Sequence, residues 1–125
     1  MNYVGDFFTD SVVEVDFNTF ATTGESTTIS DLTLSVNDIK IYKDQSLVER
    51  TSMSGVSLNV NHDSITGTHT IVVDLSDNTD VGFYERESDY KIKIVGTSIS
   101  GLTVNAIVGR FSIENRHMEG QRFNS

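Results

Sequence analysis

Val56-Ser57-Leu58-Asn59-Val60-Asn61-His62-Asp63-Ser64-Ile65-Thr66-Gly67-Thr68-His69-Thr70-Ile71-Val72-Val73-Asp74-Leu75 sets two runs of alternating apolar and polar residues on either side of a turn-forming segment. Val56, Leu58 and Val60 alternate with Ser57, Asn59 and Asn61, and the apolar set resumes at Ile71, Val73 and Leu75. A period of two places alternate side chains on opposite faces of a strand, so two half-buried strands are expected here. Ser64 to Gly67 reads as the four-residue loop of a hairpin, which would pair Asp63 with Thr68 and His62 with His69. Both inward sets keep one parity through that pairing, and a one-residue slip would turn an apolar face to water.

The same reading extends outward. Ser11 to Thr19 puts Val13, Val15 and Phe17 inward against Glu14, Asp16 and Asn18. Phe20 to Asp31 is a Thr- and Ser-rich loop bending at Gly24. Asn37 to Lys43 sets Ile39 and Ile41 inward, and a polar stretch, Asp44 to Ser54, leads to Gly55. Tyr90, Ile92 and Ile94 form the next inward set, with Lys91 and Lys93 outside, and Thr97 to Gly101 reads as a Ser/Gly turn. The last strand runs from Leu102 to Ile113. Val104, Ala106 and Val108 share one face and Phe111 and Ile113 the other, so a bulge at Gly109, or a strand crossing between sheets, is expected. No segment carries an apolar stripe at helical spacing.

Six or seven such strands predict an all-β, immunoglobulin-like antiparallel two-sheet sandwich rather than a closed barrel. Phe17, Ile41, Leu58, Val73, Ile92 and Phe111 are its expected core. Residues 1–10 are assigned to an N-terminal arm, 11–113 to the sandwich and 114–125 to a polar C-terminal tail, both ends being flexible.

At 125 residues and 13.8 kDa the chain suits one domain, and a 37% share of hydrophobic residues suffices for a core. The absence of cysteine excludes disulfides and thiolate chemistry. Met1 to Asp10 has neither an apolar run nor a basic flank, so no signal peptide or membrane span is expected, and synthesis in a cytoplasm is. The net charge is −9, and the nine Lys and Arg residues look scattered along the sequence, which disfavours nucleic acid as a partner.

Asp80-Val81-Gly82-Phe83-Tyr84 resembles the tyrosine corner of immunoglobulin-like domains, in which a Tyr hydroxyl bonds back to nearby backbone. The Cys pair and strand Trp of true immunoglobulins are missing. A wider set comprises Ile41-Tyr42-Lys43-Asp44, Gly55-Val56 to Asp63 with Thr66-Gly67, Val73-Asp74-Leu75-Ser76, Gly82-Phe83-Tyr84 with Ser88-Asp89-Tyr90, and Gly109-Arg110-Phe111-Ser112-Ile113-Glu114-Asn115. It resembles small proteins encoded in tailed-phage genomes and prophages, and is similar to the N-terminal sandwich of phage baseplate upper proteins. The resemblance spans Val12 to Asn115. It implies a virion structural protein, made in the host bacterial cytoplasm, that serves in capsid decoration or cement or as a neck, tail or baseplate adaptor. Its implied partners are other virion proteins, major capsid or tail subunits among them, and further copies of itself.

Asp74, Ser76, Asn78, Asp80 and Glu85 match positions one, three, five, seven and twelve of a calcium loop. Position six is Thr79 instead of Gly and no helices flank it, so turn residues bonding their own backbone are the competing account. His62 and His69, facing each other at the hairpin end, would offer two imidazoles to a metal, with only His117 in the tail as a third. Packing at the core rim is the alternative. No nucleophile elbow, phosphate loop or carboxylate pair is legible, so neither catalysis nor a cofactor is expected.

Tyr3, Phe7 and Phe8 before the first strand, and Arg116, Met118, Arg122 and Phe123 after the last, are the candidate interface residues, because apolar side chains in polar termini suit a partner. Phe7 and Phe8 could instead cap the core. A carbohydrate- or receptor-binding module is the rival reading; it would use Tyr42, Phe83 and Tyr84 as stacking platforms.

Overall fold

A computed structural model describes residues 3–21, 23–26 and 34–115. Seven strands are present among them: β1 (Tyr3–Phe7), β2 (Val12–Asn18), β3 (Ile39–Lys43), β4 (Val56–Val60), β5 (Thr68–Asp74), β6 (Ser88–Ile99) and β7 (Leu102–Ile113). They form a four-stranded sheet in the order β1-β7-β6-β3 and a three-stranded sheet in the order β2-β5-β4. With β2 to β7 equated to strands B to G, this is the B-E-D and C-F-G arrangement of an immunoglobulin-type sandwich. The first strand lies beside the last.

Alternation explains the core. Val13 and Val15 of β2, Ile39 and Ile41 of β3, Ile71 and Val73 of β5, Tyr90 and Ile92 of β6, and Phe111 and Ile113 of β7 interdigitate as one buried cluster. Of the six expected core residues, Ile41, Val73, Ile92 and Phe111 are buried within it, while Phe17 and Leu58 are partly buried against it. Ile92 stands two residues after Tyr90, where an immunoglobulin would carry its second cysteine, so apolar packing replaces the inter-sheet disulfide.

The expected bulge is present. Ile92 pairs with Gly109 but Lys93 with Ile107, which leaves Val108 extra and restores Phe111 and Ile113 to the inside. Gly109 is buried, and a Cβ there would lie 3.0 Å from Val15 Cγ1, so the small residue lets β7 approach β2.

Four expectations are corrected. The hairpin register is offset by two residues: Val60, not His62, opposes His69, and Leu58 opposes Ile71. Parity excludes odd slips only, and here turn chemistry selects among the even ones. Asn61, Asp63 and Ser64 all take left-handed conformations (φ 55, 56 and 61°), and Asn61 Oδ1 accepts the Gly67 N–H at 2.9 Å, so β4 ends at Val60. Thr97 to Gly101 is mostly strand. Ile99 pairs with Leu102 across a two-residue turn at Ser100 (φ 51°) and Gly101 (φ 79°), and Thr97 and Ile99 are buried.

Residues 1–10 are not a separate arm, because Tyr3–Phe7 pairs in parallel with Arg110–Ile113 and completes the sheet. The sandwich is therefore not antiparallel throughout. Finally, the basic residues are not scattered in space, since strand pairing gathers four of them on one face.

Candidate functional site

The hairpin of β6 and β7 outruns its neighbours. β3 stops pairing with β6 at Ile94 and β1 pairs with β7 only from Arg110 onward, so Val95 to Gly109 projects past both. Among the described residues, the outer edge of β7 from Leu102 to Gly109 has no strand partner. That stretch, Leu-Thr-Val-Asn-Ala-Ile-Val-Gly, contains no ionisable residue. Leu102 is 57% exposed and Ile107 39%. On the inward side the hairpin walls a groove of about 230 Å³ with Phe17, Phe20, Leu34, Ile99, Val104 and Val108. The hairpin is tied to the body by Thr97 Oγ1, which donates to Asp38 Oδ2 at 2.9 Å, and its own two strands are joined by the Gly96 N–H, which donates to Asn105 Oδ1 at 2.8 Å.

At the opposite end two loops are locked by Arg50, whose side chain is fully buried. Its Nη1 donates to the Ser54 carbonyl at 2.7 Å and its Nη2 to Asp77 Oδ1 at 2.9 Å, while Nε lies 3.1 Å from Asp80 Oδ2 as an ion pair outside hydrogen-bond alignment. The guanidinium sits over the rings of Tyr84 at 4.8 Å and Phe83 at 5.7 Å. Asp80 also accepts the Ser52 N–H at 2.9 Å. The Ser54 hydroxyl, then Thr79, and more weakly Arg50, hold the Asp77 carboxyl down to about 2. Burial pushes the Tyr84 hydroxyl up to about 12. These groups spend their charge on one another, which suits a clamp rather than a reacting centre.

Nothing in the sequence singles out Arg50, which lies in a stretch read simply as polar. The tyrosine corner is present but on another residue. Tyr90 Oη donates to the Phe83 carbonyl at 2.7 Å and accepts the Glu85 N–H at 2.9 Å, whereas buried Tyr84 Oη has no hydrogen-bond partner. Tyr90, near the start of β6, is where such a corner belongs.

The calcium-loop residues do not converge. Asp74 Oδ1 accepts both the backbone N–H and the hydroxyl of Ser76, Asn78 caps the Gly82 N–H, Asp80 serves Arg50 and Ser52, and Glu85 pairs with Lys43. No group of three or more His, Cys, Asp or Glu suited to a metal occurs among the described residues. The histidine pair is not formed either, because His62 is exposed in the turn. His69 is buried, with Nδ1 accepting the Asn61 N–H at 3.1 Å and Nε2 at 2.7 Å from Thr19 Oγ1. An accepting Nδ1 leaves the proton of a neutral ring on Nε2, so Nε2–H donates to Thr19. Burial lowers the pKa of His69.

Of the candidate interface residues, Tyr3 is about half exposed, Phe7 packs edge-on against Phe111 with ring centroids 6.5 Å apart, and Phe8 is 78% exposed. The Ser112 hydroxyl donates to Asp6 Oδ1 at 2.6 Å, so the Tyr3 hydroxyl, 2.7 Å away, donates to Ser112. Arg116, Met118, Arg122 and Phe123, like His117, lie outside the described residues. The three supposed stacking platforms are half-buried, and each has a cation of the chain over one ring face: Lys93 Nζ lies 4.7 Å from the Tyr42 ring centre, and the Arg50 guanidinium lies over Phe83 and Tyr84.

No family model matches this chain, and no curated protein and no solved structure matches it either.

Proposed function

We propose that this chain is a non-enzymatic structural protein of a tailed-phage virion, a rigid sandwich that docks on larger virion subunits through the projecting β6–β7 hairpin. The observation that carries the docking is the uncharged, unpaired edge of β7. Folded proteins ordinarily blunt such an edge with charge, proline or a covering element, and an edge left open suits a strand from another chain. The other edge strands are short, and three of them carry charge: Asp6 on β1, Glu14 and Asp16 on β2, Lys40 and Lys43 on β3. β4 is uncharged but only five residues long. The phage setting rests on the sequence resemblance across Val12 to Asn115.

The carbohydrate reading is the less favoured one, because a cation of the chain already lies over one ring face of Tyr42, Phe83 and Tyr84. The test is incorporation into particles. Purified virions of the phage that encodes the chain should contain it, and Leu102→Lys, at an exposed position opposite Ile99, should fold normally yet be depleted from them, because a charge is placed on the docking edge. Undiminished occupancy by that variant, or absence of the parent chain from virions, refutes the proposal.

A further inference from the structure

The two outward faces of the sandwich carry opposite charge. On the four-stranded sheet, Lys40 lies directly opposite Lys93, and Lys91 directly opposite Arg110, with Tyr42 beside Lys91. Four of the nine Lys and Arg residues of an acidic chain thus share one face, where they outnumber the two acids, Asp6 and Asp89, at outward positions of the same strands. Like charges directly opposite one another destabilise a sheet, so this placement costs the isolated fold. Lys40 is relieved by Glu49 at 3.1 Å, but Lys91, Lys93 and Arg110 make no ion pair among the described residues. The three-stranded sheet is the reverse. β2, β4 and β5 contain no Lys or Arg, and their outward positions include exposed Glu14 and Asp16, with Asp74 at the margin.

We infer that the basic face of the four-stranded sheet docks the acidic face of the three-stranded sheet of a second copy, so that copies stack head to tail. This rests on the assembly reading above and adds an interface distinct from the β7 edge. Each face carries an excess of one sign that its own chain does not neutralise there, Lys91, Lys93 and Arg110 on one and Glu14 and Asp16 on the other, and the sandwich separates the two so that neither can satisfy the other internally. A like-to-like pairing of either face would set lysines against lysines or acids against acids. The contact is therefore heterologous and closes into a ring or continues as a filament according to the rotation between copies. A foreign anionic chain could be drawn to the same lysines. The second copy is favoured because the complementary acidic surface is part of the same molecule, and because a chain of net charge −9 repels a polyanion over the rest of its surface.

The test is sedimentation of the full chain as a function of salt. Association should be present at about 50 mM salt and weaken about tenfold or more by 500 mM, as expected for exposed charges screened beyond a Debye length. The double variant Lys91→Glu/Lys93→Glu, with two acidic faces, should be monomeric, as should Glu14→Lys/Asp16→Lys, with two basic faces. Mixing the two variants should restore association. A parent chain that is monomeric at low salt and about 100 µM, a concentration that reveals even weak contacts, overturns the inference. So does association that survives Lys91→Glu/Lys93→Glu, or binding of single-stranded DNA to a chain that never self-associates. These variants leave the β7 edge intact. A chain that enters virions while remaining monomeric therefore overturns the stacking and leaves the docking proposal standing.

Discussion

Replacing Arg50 by Met tests whether the loop end is clamped by one buried cation. Methionine retains apolar volume over Tyr84 and Phe83 but removes the charge, and with it the contacts to Asp77, Asp80 and the Ser54 carbonyl. Removing one member of a buried ion cluster costs about 3–5 kcal/mol, because the charges left behind have lost their countercharge. Here the carboxylates of Asp77 and Asp80 are 18% and 23% exposed and keep some hydration, which sets the loss near the lower bound, at about 3 kcal/mol. For a domain of this size that lowers the melting temperature by about 9–15 °C. Thermal and urea unfolding followed by far-UV circular dichroism measure it. The triple variant Arg50→Met/Asp77→Asn/Asp80→Asn should recover much of the loss, because no buried charge then lacks its partner. An Arg50→Met chain that melts within about 2 °C of the parent would refute the reasoning, since a clamp worth about 3 kcal/mol cannot vanish unnoticed.

Two further outcomes follow from hydrogen bonding. Tyr90→Phe should cost about 0.5–1.5 kcal/mol in urea unfolding, because the partly buried hydrogen bonds to the Glu85 N–H and the Phe83 carbonyl are lost, whereas Tyr84→Phe should be near neutral since that hydroxyl has none. Equal effects would show that neither tyrosine acts as the corner. Burial lowers the pKa of His69, so between the unfolded value near 6.5 and the lower folded value the unfolded chain binds more protons. Stability is thus intact above about pH 6.5 and falls as the pH drops below it. The urea midpoint should follow this fall in the parent and in His62→Gln but not in His69→Gln; a fall that persists in His69→Gln assigns the effect elsewhere.

Most of the sandwich was legible because period-two alternation is written into β2 to β7 one strand at a time. What escaped was set by contacts between distant residues. β1 is five residues long, contains Gly5 and alternates poorly, and its place is fixed by Ser112, Glu114 and Asn115, more than a hundred positions away. The hairpin register escaped for a different reason. Alternation specifies parity, and choosing between two registers of equal parity needs the left-handed conformations of Asn61, Asp63 and Ser64, which the sequence permits without requiring.

The functional surfaces divide along the same line. The uncharged run from Leu102 to Gly109 can be read directly, but its meaning depends on the pairing of β7, which leaves that run open while Arg110 to Ile113 are covered by β1. Arg50 and its two aspartates lie 27 and 30 positions apart, so no local pattern could join them. The basic face is the clearest case. Lys40, Lys91, Lys93 and Arg110 look dispersed along 71 positions, and each alone is an ordinary outward residue of an alternating strand. Only the pairings of β3 with β6 and of β6 with β7 bring them opposite one another. That arrangement works against the isolated domain, since like charges opposed across a sheet repel. A feature that weakens the fold where alternation alone would accept any polar residue is the kind that a partner's countercharge explains.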